Sequence, residues 1–337
     1  MDNVPVRCGL DIAKHVMAIH AVNHSGNVVI QKNISRKKVL EYFAQLTPCT
    51  VGIESCGGSH YWARELKKLG HNPKLISVKF VIPYRRKGKN DANDAEAICE
   101  AISRPGMGFV AVKSEDQQAI LMAHRIRSQS IATRTALINQ IHGHLQEFGV
   151  VVSKGRHKLK RDLADIFSYE TLPPLLYELL HDLLAALLRE EERVDSLDKR
   201  ISSWVDGNEM ASRLTQLDGV GPITASAVVA TTGHASAFKN GRQFAAWLGL
   251  VPRQYSSGGK NKLGRITKQG DCYLRMLLIH GARTVLLMSS KGRGQHSDWI
   301  ESLRSRKPDN VVAVAYAAKQ ARMLWAVMAG KPAPLVA

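Results

Sequence analysis

The stretch KGKNDANDAEAI, residues 87–98, places two carboxylates at the start of a predicted helix. Asp91 and Asp94 are three residues apart, so on a helix they share one face and point into the same small volume. Taken alone, the stretch has two explanations. The acids are ordinary residues favoured by the helix macrodipole, or they belong to a charged site that cations must balance. Lys87 and Lys89, which precede them, are candidate nucleic-acid contacts.

The sequence before this stretch alternates between strand and helix patterns. Strands are predicted at residues 4–11, 16–22, 28–31, 50–54 and 74–77, and helices at residues 37–46 and 60–69. Ser35 is the predicted cap of the first helix. The first strand ends in Asp11 and the fourth in Glu54. This order predicts an α/β layer, in which sites form beyond the carboxyl ends of the strands.

Four carboxylates, those of Asp11, Glu54, Asp91 and Asp94, are therefore candidates for one site. Acids held together without a cation raise one another's pKa, and hard cations are held by oxygen ligands of this kind. Two Mg²⁺ ions about 4 Å apart assist phosphodiester cleavage by activating a nucleophile and stabilising the leaving oxygen. We predict such a magnesium site; the alternative is that Asp11 and Glu54 are unrelated turn and edge residues.

The composition points to a polyanionic partner. The chain has 337 residues, 45% of them hydrophobic, and a formal net charge of +18. A membrane surface is the competing polyanion, but no apolar run reaches the roughly 18 residues that span a bilayer, and the start has no secretory pattern. We therefore expect a cytoplasmic protein that does not enter membranes. The five cysteines form no CxxC pair, which favours reduced, mostly buried thiols over disulfides or zinc.

Residues 115–148 read as one long helix, and a second helical stretch carries a heptad seam. The seam consists of Leu176, Leu180, Leu183, Leu187, Val194, Leu197, Ile201 and Trp204. Its 4,3 spacing favours self-association as a coiled coil, with packing on the chain's own long helix as the alternative. Between the two helices, the basic run at residues 154–161 is either a solvated linker or a contact to a nucleic-acid backbone.

The last third of the chain combines a glycine turn with dense positive charge. Residues 214–231, LTQLDGVGPITASAVVAT, resemble a helix-hairpin-helix, in which turn amides contact a phosphate, although a purely structural hairpin also fits. Residues 239–306 contain 13 Lys and Arg against 3 acids. The polyanion-binding surface is therefore expected to be concentrated here.

Within that region, residues 248–265, LGLVPRQYSSGGKNKLGR, are predicted to form a loop. Ser257 is followed by Gly258 and Gly259, which let the backbone approach a ligand closely. The candidate phosphate-binding cations are Arg253, Lys260, Lys262, Arg265 and Lys268. Composition alone favours a phosphate-binding loop; an activated serine nucleophile is the other possibility, and no GxSxG pattern surrounds Ser257.

Five motifs taken together resemble one protein family. They are GLDIAK at 9–14, GIESCGG at 52–58, KNDANDAEAI at 89–98, LDGVGPITA at 217–225 and LGLVPRQYSSGGK at 248–260. In this order they look like the bacterial insertion-sequence transposases with a DEDD catalytic domain and a serine-bearing C-terminal domain, the bridge-RNA-guided recombinases. The resemblance extends from about Cys8 to about Leu324.

The resemblance implies a RuvC-like, RNase H-like domain at residues 1–152, a linker and coiled-coil segment at 153–208, and a mainly helical transposase domain at 209–337. The acidic tetrad of the family falls on the four carboxylates named above and its nucleophile on Ser257, with Ser256 as the adjacent possibility. The implied chemistry is DNA strand exchange through a covalent phosphoserine, with acids and serine contributed by different subunits of a dimer or tetramer. The implied guide is a structured non-coding RNA that pairs with donor and target DNA.

Two other functions remain open from the sequence. A metal-dependent junction-resolving nuclease would use the same acids, with Ser257 only binding phosphate. An architectural nucleic-acid binder would need no chemistry at all. The aromatic content of 6% argues against base stacking as the main mode of recognition, so we expect contacts to the nucleic-acid backbone to dominate.

Overall fold

The computed structural model describes residues 3–86, 88, 90–153, 155, 158–159, 161–162, 166, 172–260, 262–291 and 297–331. The contacts divide the chain into unit 1, Met1–Glu115, and unit 2, Asp116–Ala337. The elements of unit 1 are β1 (Arg7–Asp11), β2 (Val16–Val22), β3 (Val28–Ser35), α1 (Val39–Ala44), β4 (Thr50–Glu54), α2 (Ser59–Lys68), β5 (Asn72–Ile76), α3 (Val78–Val81), α4 (Asp91–Ala101) and β6 (Phe109–Val110). Residues 1–152, 153–208 and 209–337 remain our predicted domains.

Unit 1 is a mixed six-stranded sheet with the strand order β3-β2-β1-β4-β5-β6. β1, β4 and β5 are parallel neighbours, whereas β2 and β6 run antiparallel to the strands beside them. Phe43 of α1 and Leu66 of α2 are buried against one face of the sheet. Helix α4 packs on β1 and β2 from the other face. The predicted α/β layer is therefore confirmed, with helices on both faces.

Most predicted elements of unit 1 are confirmed, with boundaries that differ by a few residues. The Ser35 cap is wrong: its side chain makes no capping hydrogen bond, and a 3₁₀ turn, Arg36–Lys38, leads into α1 instead. Strand β6 and helix α3 were not predicted, because a two-residue strand and a four-residue helix are too short to show a hydrophobic period.

Unit 2 is mainly helical. Its elements are α5 (Glu115–Glu147, beginning one residue before the unit), α6 (Pro174–Asp206), α7 (Glu209–Leu214), α8 (Pro222–Thr232), α9 (Gly241–Trp247), β7 (Pro252–Gln254), β8 (Leu263–Ile266), α10 (Cys272–Ser289), α11 (Ser297–Arg304) and α12 (Asp309–Met328). The helices from α7 onward share one core, at whose centre Phe244 and Tyr316 are fully buried.

Helices α5 and α6 form an antiparallel pair within the chain. Leu145, near the end of α5, packs with Leu180, near the start of α6, and Ile120 packs with Ile201 at the opposite ends. The heptad seam of α6 is thus buried against the chain's own long helix. Our preference for self-association through this seam is wrong, and the alternative of packing on α5 is correct. The heptad pattern predicts a helix partner but does not state which helix supplies it.

The predicted loop at residues 248–265 is also corrected, because its two sides pair as a β-hairpin. Pro252 of β7 pairs with Ile266 of β8, and Gln254 pairs with Leu263. The Gly- and Ser-rich composition marks only the turn between the strands. Of the described helices, none combines the length and apolar character that a bilayer crossing requires.

Candidate active site

The register of the sheet brings Asp11 and Glu54 together. β1 and β4 are parallel, with Gly9 opposite Gly52 and Leu10 opposite Ile53, so Asp11 and Glu54 come at the ends of adjacent strands about 4.8 Å apart. Side chains alternate along a strand, so each acid lies on the same face as the glycine two residues before it. Both carboxyl groups are half-buried.

The two glycines let α4 approach that face of the sheet. A Cβ atom at Gly9 would lie 2.0 Å from the carbonyl oxygen of Ala95, and one at Gly52 would lie 2.7 Å from Cγ2 of Ile102. Gly9 has no room for a side chain because the backbone of α4 rests directly on β1, and the space at Gly52 is filled by the side chains of Ile98 and Ile102. Both strands end in the sequence pattern glycine–x–acid. The glycine makes room for α4 to pack on the sheet, and the acid is a candidate site residue.

Helical spacing then carries the other two acids to the same edge. Ala95 lies on Gly9, and Asp91 is one turn before Ala95; Asp94 is one turn before Ile98, which lies on Gly52. The helix begins at the right residue because Asn90 caps it, its side-chain oxygen accepting a hydrogen bond of 2.8 Å from the backbone N–H of Asn93. This cap was missed in the sequence, although Asn is a favoured N-cap residue.

The four acids interact electrostatically. The pKa of Asp11 is raised from its ordinary 3.8 to about 6, first by burial and then by the negative charges of Asp94, Asp91 and Glu54. Like charges held together in a half-buried site disfavour ionisation, which is the condition that a bound cation relieves. The strand ends and the helix spacing predict that these four residues converge. The effect of the other three acids on the pKa of Asp11 agrees with that prediction.

The donor set suits a hard divalent cation, since all four groups are carboxylates. As they stand, no three His, Cys, Asp or Glu side chains within the described ranges are close enough to hold a metal ion together. Two arginines bring positive charge to this part of unit 1: Nη1 of Arg85 lies 3.4 Å from Oδ1 of Asp94, and Nη2 of Arg86 lies 2.7 Å from Oε1 of Glu96. Lys87 and Lys89 lie outside the described residues, as do residues 154, 156, 157 and 160 of the basic run at 154–161.

The cysteines are all free thiols in the structure, and Cys8, Cys49 and Cys99 are buried. Cys56 is exposed and belongs to the turn that follows Glu54. Burial and the charges of Glu54 and Asp11 raise the pKa of its thiol. Cys56 was not singled out in the sequence, because its proximity to the acids depends on the turn.

Ser257 begins the tight turn of the β7–β8 hairpin in unit 2. The backbone N–H of Lys260 donates to the carbonyl of Ser257 at 3.1 Å, and Gly258 and Gly259 have φ values of +55° and +77°. Two central residues with positive φ are typical of a type I′ turn, which explains why both are glycine. The hydroxyl of Ser256 instead accepts a hydrogen bond of 2.9 Å from Gln254 within the hairpin.

The root of the hairpin is held by close backbone contacts. A Cβ atom at Gly270 would lie 1.9 Å from the carbonyl oxygen of Trp247, so the chain segments entering and leaving the hairpin touch there. Arg275 ties the same segments together, because Nη1 donates to the carbonyls of Leu248 and Gln269, both at 2.9 Å. The predicted cations on and beside the hairpin are all exposed: Arg253, Lys260, Lys262, Arg265 and Lys268.

The glycine turn between α7 and α8 has a packing role. A Cβ atom at Gly219, where φ is +77°, would lie 2.7 Å from the carbonyl oxygen of Gly281 in α10. Gln320 of α12 also fixes this turn, since its Nε2 donates to the carbonyl of Asp218 at 2.7 Å. These contacts account for the first glycine as a structural residue. A phosphate contact at the turn stays a prediction.

A buried polar network in unit 2 was not foreseen. Nδ1 of His124 lies 3.0 Å from the hydroxyl of Tyr273, and Nε2 lies 3.0 Å from the hydroxyl of Ser226. Ser226 donates its own hydrogen to the carbonyl of Pro222 at 2.6 Å, so Nε2 of His124 is the donor and Nδ1 the acceptor. Burial, followed by the charge of Arg127, lowers the pKa of His124 to about 4 and keeps it neutral.

Comparison with known proteins identifies the family. Residues 8–150 match a transposase model of the DEDD, IS110 type, and residues 211–297 match the model of the transposase IS116/IS110/IS902 family. A probable family 20 transposase of Pseudomonas aeruginosa is 48% identical over 96% of either chain. The transposase for insertion sequence element IS1328 of Yersinia enterocolitica is 40% identical over 97% of either chain. The transposase for insertion sequence element IS1111A of Coxiella burnetii is 37% identical over 95% of this chain and 88% of its own.

The chain is therefore a transposase of an insertion sequence, an enzyme class that recombines DNA. Within that class, it belongs to the IS110/IS116/IS902 family.

Proposed function

We propose that this transposase cuts and rejoins DNA strands with Ser257 as the nucleophile and with the carboxylates of Asp11, Glu54, Asp91 and Asp94 as the metal-binding site. The observation that carries the proposal is the convergence of the four acids at one edge of the sheet, where burial and then the negative charges of the other three raise the pKa of Asp11. The order of strands β1 to β5, an antiparallel meander followed by two parallel strands, supports the RuvC-like, RNase H-like assignment of this domain.

In the proposed reaction the four carboxylates hold Mg²⁺, which when bound neutralises charge at the scissile phosphate and lowers the barrier to nucleophilic attack. The remaining work belongs to side chains of this chain. Arg85 lies beside Asp94 and balances its charge, and half-burial of Asp11 limits the water around the acids.

The serine step exchanges one phosphodiester for another. Oγ of Ser257 forms a bond to phosphorus and loses its proton, while the bond from phosphorus to one bridging sugar oxygen breaks and that oxygen takes up a proton. The reverse attack by a sugar hydroxyl of another strand releases Ser257 and joins the new strand. No oxidation or external energy source is needed. The exposed start of a glycine turn, flanked by cations, suits a serine that must reach a phosphate.

The partners proposed are donor and target duplex DNA and a structured non-coding guide RNA, with the chain acting as a dimer or tetramer. The net charge of +18 supports polyanion binding, and the exposed cations of the hairpin supply part of that surface. In this assembly the acids of one subunit act with the serine of another. Sequencing the RNA that copurifies with the protein tests the guide directly: random cellular RNA would contradict it.

The chemistry is tested by trapping protein–DNA adducts. Wild-type protein and the variants Ser257→Ala and Ser256→Ala are incubated with labelled DNA substrate and Mg²⁺, then denatured. We expect a covalent adduct with wild type and Ser256→Ala, and none with Ser257→Ala. DNA cleavage by wild type without any adduct would favour the nuclease in which Ser257 only binds phosphate.

The acidic site is tested separately with Asp11→Asn and Asp94→Asn, which keep the size of each side chain. Both variants should lose cleavage while still binding DNA. Intact recombination in these variants would show that the acids do not hold a catalytic metal. Loss of DNA binding would instead point to a defect in folding, which a melting curve identifies.

A further inference from the structure

A segment of unit 1 runs along the edge of the acidic site. Residues 77–86, here called the rim segment, follow β5, whose last residue Ile76 pairs with Glu54. The backbone N–H of Ser55 donates to the carbonyl of Ile76 at 2.7 Å, so the rim segment leaves the sheet next to Glu54. At its other end, Arg85 contacts Asp94. The rim segment therefore connects two of the four acids along the outside of the site.

This segment exposes apolar side chains on an anchored backbone. Val78, Phe80 and Ile82 are 41%, 39% and 51% exposed, whereas Val81 is buried and Tyr84 is partly buried in the core between the sheet and α4. Single exposed apolar residues are common on protein surfaces. Here three exposed apolar side chains lie within five residues, beside the acidic site and on a backbone that buried neighbours hold in place. Such a cluster indicates a surface that binds a partner molecule.

Charge on the rim segment favours a nucleic acid over a protein as the occupant. Nζ of Lys79 lies 4.7 Å from the centre of the Phe80 ring, and Arg85 and Arg86 follow within the same segment. The cores of protein interfaces are depleted of charged residues, whereas aromatic rings interleaved with cations are typical of surfaces that bind single-stranded nucleic acid. A phenyl ring stacks on unpaired bases, since the bases of a duplex are already stacked on one another.

We propose that the rim segment binds unpaired DNA next to the acidic site, with Phe80 stacking on a base and Lys79 contacting a phosphate. This inference rests on the proposed function only in that the acidic site acts on the bound DNA. It assigns a local stacking contact to a chain for which the sequence predicts mainly contacts to the nucleic-acid backbone.

The test measures binding without cleavage. Full-length wild type, Phe80→Ala, Phe80→Leu and Phe80→Trp are titrated with single-stranded and duplex DNA of one sequence, with EDTA present and at raised salt to suppress non-specific charge contacts. Stacking of one base predicts that Phe80→Ala and Phe80→Leu bind single strands at least about fivefold more weakly, while Phe80→Trp binds like wild type. The fluorescence that Phe80→Trp adds to the five native tryptophans should be quenched by single-stranded DNA.

Phe148→Ala is the matched control, because Phe148 is 48% exposed but belongs to unit 2. Equal weakening by Phe148→Ala, or unchanged binding in Phe80→Leu, overturns the proposal. So does a Phe80-dependent preference for an RNA of the same sequence, or a changed oligomeric state with unchanged DNA binding. Because EDTA removes divalent metal, the binding results do not depend on metal binding by the acids. If Asp11→Asn keeps its activity, the proposed metal site fails but the binding test of the rim segment is still valid.

Discussion

Replacing Gly9 by alanine tests how the acidic site is assembled. The new Cβ would lie 2.0 Å from the carbonyl oxygen of Ala95 and 2.7 Å from the backbone nitrogen of Cys99. Carbon atoms essentially never approach such atoms within 3.0 Å, so α4 has to move away from β1 by about 1 Å. Overpacking of a core costs about 1–3 kcal/mol, and we expect about 3 kcal/mol here because both clashing atoms belong to the backbone of a buried helix.

Hydrogen exchange in the full chain measures this effect where it occurs. A loss of about 3 kcal/mol raises the exchange rates of the α4 amides by roughly 100-fold, since each 1.4 kcal/mol is a factor of ten. DNA cleavage should fall by a similar factor, because Asp91 and Asp94 move with the helix. Gly57→Ala is the control: its Cβ meets no atom within 4 Å, and we expect a change below about 0.5 kcal/mol. Wild-type exchange of α4 in Gly9→Ala would refute the close packing of α4 on β1.

Three further predictions concern stability. Because the folded-state pKa of Asp11 is raised, the folded chain binds more protons than the unfolded chain between pH 3.8 and about 6, so stability falls as the pH rises through this window. In EDTA, Asp11→Asn should therefore raise the melting temperature near neutral pH but not below pH 3.8; equal effects at both would contradict the shift. Gly143→Ala, at an exposed position about one turn before the end of α5, should stabilise the chain by about 0.5–1 kcal/mol in denaturant unfolding. Ser226→Ala leaves Nε2 of buried His124 without its partner and should cost about 1–3 kcal/mol in the same assay, whereas no change would argue against this hydrogen bond.

The acidic site was accessible from the sequence because its residues stand at strand ends and at a helix start. An acid that closes a buried strand, and a pair spaced three apart after a polar run, are local patterns. The register that places Asp11 beside Glu54 is not local, since it depends on which strands pair. The glycines that seat α4 are visible in the sequence, but their purpose emerges only when Gly9 is found opposite Gly52.

Unit 2 shows where the sequence was insufficient. The heptad seam of α6 predicts that the helix packs against a partner helix. It does not distinguish α5 from a helix of a second copy of the chain. The turn residues Gly258 and Gly259 carry the signature of a two-residue hairpin, but the flanking strands are short and exposed on both faces, so they lack the alternation that identifies strands. The contacts of His124 join residues more than 100 positions apart, and no local pattern encodes them.

Substitutions can damage the acidic site in two ways: they can move α4, or they can remove a carboxylate. The backbone contact at Gly9 and the cap at Asn90 set the position of α4, and neither residue carries a charge. The carboxylates supply charge but little of the packing, because none of the four acids belongs to the buried core and Asp91 is exposed. Substituting an acid should therefore remove a functional group while α4 keeps its position on the sheet. Substituting Gly9 should instead move α4 while all four acids are still present. If the carboxylates form the proposed metal site, added divalent metal should consequently stabilise Gly9→Ala towards its native arrangement and should do less for Asp11→Asn.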